Sequence, residues 1–109
     1  MITANIREHI VKRFTRSSGW SKVRKNHIKK HPTCEACGDK RDPEVHHIKD
    51  FSTHPELELD KSNLITLCGK RCHFLLGHLK DWKSINPTIV DDAAMLLEKI
   101  KNRRRKDEQ

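Results

Sequence analysis

Apolar residues in the first third of the chain recur at helical spacing and then give way to short alternating segments. Ile6, Ile10, Val11 and Phe14 follow at intervals of three and four, which predicts an amphipathic helix over residues 4–16. Ser17-Ser18-Gly19 breaks that pattern. Trp20, Val23 and Ile28, with lysines between them, predict a second helix over 21–31, stopped by Pro32. Residues 33–45 read as a tight polar loop, Val45–Ile48 as a short strand, and residues 50–61 as a long loop. Leu64–Leu67 predicts a second strand and Cys68–Trp82 a helix. Pro87 then opens a last helix to 106, whose Ile89, Ala93, Leu96, Leu97 and Ile100 form one apolar stripe, expected to pack on the core. No repeat or low-complexity segment interrupts this order, so residues 1–109 are expected to form one domain. Its parts would be a basic helical extension (1–32), a central unit (33–82) and a C-terminal helix (87–106).

Composition changes the picture in two ways. Apolar residues make up 34% and charged residues 35% of a 109-residue chain, a lean supply for a core. Such a core often needs a staple, and four cysteines can supply disulfides or a metal site. No apolar run is long enough to cross a membrane, and residues 1–10 lack the apolar centre of a secretion signal. A cytoplasmic protein with reduced cysteines is the expectation.

The net charge of +8 is uneven: residues 1–31 carry nine Lys and Arg against one Glu, and the remainder is balanced. An excess of this kind favours a polyanion, because neutralised phosphates release condensed counterions. A solvated basic helix without a partner fits the charge equally well. Lys22, Arg24, Lys25, Lys29 and Lys30 are the candidate nucleic-acid contacts. The run Arg103–Lys106 reads as a solvated helix end.

Cys34-x-x-Cys37 and Cys68-x-x-x-Cys72 form two short-spaced pairs, thirty residues apart. Zinc takes four such ligands tetrahedrally at about 2.3 Å, and a short pair places two of them. A closed structural zinc is the reading favoured here, with two disulfides or free buried thiols as alternatives. The thirty-residue gap means that a strand, a loop and a second strand are looped out between the two halves of the site.

Inside that gap lie Val45-His46-His47-Ile48 and Asn63-Leu64-Ile65-Thr66-Leu67, and His73 follows the last cysteine directly. Adjacent strand residues face opposite ways, so His46 and His47 would diverge, one toward a metal and one toward a substrate. Taken in order, C34-x2-C37, V45-H46-H47-I48, N63-L64-I65-T66-L67-C68 and C72-H73 resemble the HNH endonuclease family. The similarity is to its four-cysteine branch, common among phage and bacterial enzymes, and it covers residues 34 to about 80.

The resemblance implies an α+β fold with a ββα-metal core and hydrolysis of DNA phosphodiester bonds with little sequence specificity. It implies His46 as a metal ligand (many relatives have Asp there), His47 as general base, Asn63 as the side chain pinning the base's loop, and His73 as a second ligand. Some relatives place a third histidine four residues later. This chain has Gly77 there and His78 one further on, which on an ideal α-helix lies about 140° away from His73. A π-type bulge would return it to the site. His78 is therefore either a ligand or a surface residue. Manganese or magnesium is the expected catalytic ion, with nickel or zinc as further candidates for imidazole ligands. Double-stranded DNA is the implied partner, with a phage packaging terminase as an associated one and a monomer as the expected state. The alternative is a non-catalytic zinc-knuckle module that binds nucleic acid.

The other histidines get plainer readings: His9, His27 and His31 face water or phosphate, and His54 belongs to a turn. Trp20 and Trp82 read as core or edge packing.

Overall fold

The structure, a computed structural model, describes residues 16–107. The helix expected over 4–16, with Ile6, Ile10, Val11 and Phe14, and His9 with it, lies outside the described residues except for Arg16. Helix α1 spans Trp20–Lys30 and ends at His31, whose extended backbone (φ −130°) meets the restriction imposed by Pro32. Strands β1 (Pro43–His47) and β2 (Leu64–Cys68) pair antiparallel, with Val45 opposite Thr66 and His46 opposite Ile65. Helix α2 runs over Ile89–Asp107, starting two residues after Pro87, with Asp91 and Asp92 in its first turn and Arg104, Arg105 and Lys106 in its last. Both charge clusters complement the helix dipole.

A two-stranded sheet is barely stable in water alone. Here every residue of β2 is buried, which explains its continuous apolar run without alternation. α1 packs across both strands. The Thr66 hydroxyl donates to the His31 carbonyl (2.7 Å), and the Thr66 amide donates to the Glu35 carboxylate (3.1 Å). On the opposite side, the buried Asn86 ties the start of α2 to the preceding turn. Its amide nitrogen donates to the Leu76 carbonyl (3.0 Å) and to Asp92 (2.9 Å). The expected stripe on α2 packs as read: Ile89 and Ala93 are buried in the core, and Leu96 packs against it. Arg103–Lys106 are exposed, a solvated helix end.

The core itself comprises Cys34, Ala36, Ile65, Leu67, Cys68, Cys72, Ile89 and Ala93, so sulfur ligands stand where a larger protein would place leucines. All four cysteines are free thiols whose sulfurs lie within 4.8 Å of one another, and Cys37 Sγ is 3.7 Å from Cys68 Sγ. Four sulfurs about 2.3 Å from one tetrahedral ion sit about 3.8 Å apart, so the set fits zinc and not two disulfides. Gly38, at φ +80°, makes the left-handed turn that closes the Cys34–Cys37 knuckle, where its amide donates to the Cys34 carbonyl (2.9 Å). Burial pushes the Cys37 thiol up. The Asp39 backbone, the Arg71 guanidinium (3.5 Å) and the neighbouring thiols outweigh it and bring Cys37 down to about 7.

The helix expected over Cys68–Trp82 is shorter than read and begins only at Cys72. Cys68 closes β2, a turn follows, and His73–Gly77 is a single π-helical turn ended by Leu79 and Lys80 in the left-handed region (φ +53° and +66°). No α-helix can continue through two such residues.

Because the ligands form part of the core, zinc and stability should be lost together. Cys34→Ser, or the same change at Cys37, Cys68 or Cys72, is expected to release zinc and lower the melting temperature by more than 10 °C, since structural-zinc binding energy is folding energy (~10 kcal/mol or more). Elemental analysis alongside thermal melts checks this.

Candidate active site

Strand alternation sends His46 and His47 to opposite sides of β1, as the sequence indicates, although both remain buried and line one cavity of about 250 Å³. His46 faces the π-helical turn. Gly77 lies against it: a Cβ at this position would stand 3.1 Å from the His46 ring and 3.1 Å from Leu67. A side chain at 77 would therefore crowd the His46 ring and Leu67, and the imidazole comes from 78. The π turn carries it round, with the His78 amide donating to the His73 carbonyl five residues back (3.1 Å).

The result is a cluster of three imidazoles, His46, His73 and His78, with ring nitrogens within 4.8 Å of one another. His73 Nδ1 lies 3.1 Å from the Glu44 carboxylate, and His78 Nδ1 lies 2.8 Å from the Ser84 carbonyl. Both partners only accept, so both Nδ1 atoms carry hydrogen and both Nε2 atoms carry lone pairs. Those two Nε2 atoms face each other at 3.2 Å. Two nitrogens bound to one ion at about 2.1 Å stand roughly 3.0–3.4 Å apart, so the pair has the spacing of metal ligands. The buried Nε2 of His46 has no hydrogen-bond partner, an arrangement a cation would satisfy. Burial, then the neighbouring imidazoles of His73, His78 and His47, holds His46 down to about 3, and burial also lowers His78. Both are neutral near pH 7, the form that binds metal.

His47 is fixed from three sides. Its Nε2 donates to the Glu58 carbonyl (3.0 Å), which leaves Nδ1 as the unprotonated nitrogen. Trp20, the first residue of α1, stacks on the ring with centroids 4.6 Å apart, and Phe51 lies 6.3 Å away on a tilted plane. Burial lowers the His47 pKa, against the opposing effect of the Glu58 carbonyl. Arg16 also lines the cavity, its guanidinium 4.9 Å from the Trp20 ring and 4.4 Å from Phe51 and 3.8 Å from the buried Glu58. Glu58 in turn accepts from the Ser17 amide through both carboxylate oxygens (3.2 Å each).

Asn63 closes the loop between the strands. Its side-chain carbonyl accepts from the Lys49 amide (2.8 Å), and its amide donates to the carbonyls of Lys49 (3.1 Å) and Leu57 (3.3 Å). The segment leading to Glu58 is thereby held against the end of β1.

The other residues singled out in the sequence are placed as follows. Trp82 is 60% exposed and stands edge-on to His73 (5.4 Å) and beside His78 (4.8 Å), which makes it the edge residue of the two alternatives read from the sequence. Trp20 is half-buried, but its contact is the His47 ring, which no spacing rule indicates. His27 is half-buried: its ring packs against His31 at 4.8 Å, and its buried Nε2 has no hydrogen-bond partner. His54 pairs with Glu56 in a turn, as read. Lys22, Lys25, Lys29 and Lys30 are exposed on α1, and Arg24 is half-buried. Among the described residues no helix is long and apolar enough to cross a membrane.

No curated protein and no solved structure matches the chain. The family model of the HNH endonuclease does match, over residues 34–78, from the first cysteine to the third imidazole of the cluster. Four converging thiols, two antiparallel strands and a turn bearing His73 fall within that match.

Proposed function

We propose that the protein is a metal-dependent endonuclease that hydrolyses phosphodiester bonds of duplex DNA, by nicking or cutting it with little sequence preference. The observation that carries this reading is the shared cavity. His47, with Nδ1 free of hydrogen, and the three converging imidazoles of His46, His73 and His78 line the same space. A module that only binds nucleic acid through a zinc knuckle needs neither.

His47 is the general base. Its Nε2–H is committed to the Glu58 carbonyl, so a water proton is taken on Nδ1. The imidazolium that forms keeps its bond to that carbonyl, and the stacked Trp20 face offers it a favourable surface. A histidine suits the task because it titrates near neutral pH. His46, His73 and His78 would hold one divalent ion, manganese or magnesium by preference, which when bound offsets charge on the phosphate and on the leaving 3′ oxygen. Asn63 positions the base indirectly, by holding the segment from Lys49 to Leu57 that ends in the Glu58 carbonyl. The four-cysteine site holds zinc and takes no part in the chemistry. Exposed Lys22, Lys25, Lys29 and Lys30, with Arg24, supply non-specific phosphate contacts along α1, whose first residue covers the base.

Plasmid nicking over a panel of divalent metals tests the activity directly, and His47→Ala should lower it by at least ~10²-fold while zinc content and DNA affinity persist. Activity within about tenfold of wild type would remove His47 from this role. His78→Ala should raise the manganese concentration needed for half-maximal cleavage, and an unchanged midpoint would leave two protein imidazoles on the ion. Asn63→Ala should cost about 1–3 kcal/mol of stability, since the Lys49 amide loses its acceptor. It should also slow cleavage while manganese affinity, read by titration, stays within about twofold.

A further inference from the structure

We propose that Glu44 is a positioning residue of the imidazole cluster: through His73 Nδ1 it sets the tautomer and the ring plane that present Nε2 to a divalent ion. This inference rests on the reading of His46, His73 and His78 as the ligands of that ion. Alternation along β1 places Glu44 on the same face as His46, two residues away, and that face meets the π-helical turn carrying His73. The Glu44 carboxylate accepts from His73 Nδ1 at 3.1 Å, with the His73 side chain 16% and the Glu44 side chain 39% exposed. Glu44 contributes no atom to the ligand cluster, so its contact is with the ligand and not with the ion's own position.

The chemistry of the set requires such a partner. A neutral imidazole has two tautomers, and only the one with hydrogen on Nδ1 leaves Nε2 free to ligate. His78 is fixed by the Ser84 carbonyl, and Glu44 does the same for His73. A carboxylate does more than a carbonyl, because it makes the opposite nitrogen more basic and brings negative charge to a set of neutral ligands. Asp50 lines the same cavity, but its carboxylate takes the Ser52 hydroxyl.

Gly69, just beyond β2, is the second observation. A Cβ there would lie 2.5 Å from Glu44 Oε1, the oxygen that faces His73, and 2.5 Å from Asp42 Oδ2. The backbone of Gly69 is not among the left-handed glycines, so what the position needs is space. A glycine at 69 leaves the seat that the Glu44 carboxylate occupies. Gly69→Ala should therefore push both flexible carboxylates aside without changing the charge of the protein, which separates the placement of Glu44 from its mere presence.

The test uses the zinc-loaded full chain and manganese as the probe. Mn²⁺ affinity is measured by electron paramagnetic resonance titration for wild type, Glu44→Ala, Glu44→Gln and Gly69→Ala. Nitrogen-15 NMR reports the His73 tautomer before manganese is added. Glu44→Ala is expected to weaken manganese binding ~10–100-fold, with an unchanged melting temperature and zinc content. Glu44→Gln, which keeps an acceptor, should bind more tightly than the alanine variant, and Gly69→Ala should weaken binding in the same direction. His73 should carry hydrogen on Nδ1 in wild type and lose that preference in Glu44→Ala. A Glu44→Ala affinity within about twofold of wild type, a wild-type His73 with hydrogen on Nε2, or a glutamine variant no better than alanine would each overturn the proposal. If wild type binds manganese and cleaves plasmid while Glu44→Ala matches it, the role of Glu44 alone falls. If wild type takes up no manganese beyond the zinc site, the three-imidazole reading falls and takes this inference with it.

Discussion

Four sulfur atoms within 4.8 Å of one another gather three separate segments of this small molecule around one point. Cys34 and Cys37 come from the knuckle after α1, Cys68 from the end of β2, and Cys72 from the turn before His73. Removing that constraint leaves a two-stranded sheet, a short helix on one side and a long helix anchored by Ile89 and Ala93. Among the described residues, such an assembly has little apolar surface to set against the entropy of ordering it. A metal on the sulfurs changes the balance because its binding exists only in the folded chain.

The same constraint aims the chemistry. Cys72 and His73 are adjacent, so fixing one sulfur fixes where the next backbone amide and side chain go. From there the chain must deliver a second imidazole beside the first, and Gly77 decides how. The position one α-helical turn after His73 lies against the His46 ring, with no room for even a Cβ at ordinary distance. A five-residue hydrogen-bonded turn skips it and delivers His78 instead. The π turn goes together with tight packing of His46 against Gly77, and Asn86, bonded to the carbonyls of Gly77 and Leu76, helps to hold it.

The cysteine pairs, the His46-His47 divergence and the burial of the Ile89–Ala93 stripe were legible in the sequence because each depends on local spacing or on strand alternation. The match of the family model over residues 34–78 agrees with that reading. Other features depend on contacts between distant segments. Trp20 on His47, Arg16 between Trp20 and Phe51, and Glu58 beneath both join residues that spacing does not relate. The helix expected up to Trp82 ends early for a different reason. Its apolar periodicity is real, but Leu79 and Lys80 adopt left-handed backbone conformations that no residue type there announces. The bulge that carries His78 was foreseeable only as a consequence of the odd five-residue spacing, and at Gly77 a Cβ would crowd the His46 ring.

The two histidines of β1 end up under separate control, and this follows from strand geometry. His46 is governed from the zinc side, through the turn that Cys72 begins, and His47 from the loop side, through Asn63, Glu58 and Trp20. One residue of strand alternation divides the two sets of contacts, yet both rings line one cavity. A shift of β1 by one residue would exchange the two faces and destroy both sets together. The register that pairs His46 with Ile65 and His47 with Leu64 is therefore the constraint on which the site's division of labour rests, and the buried strand β2 is what enforces it.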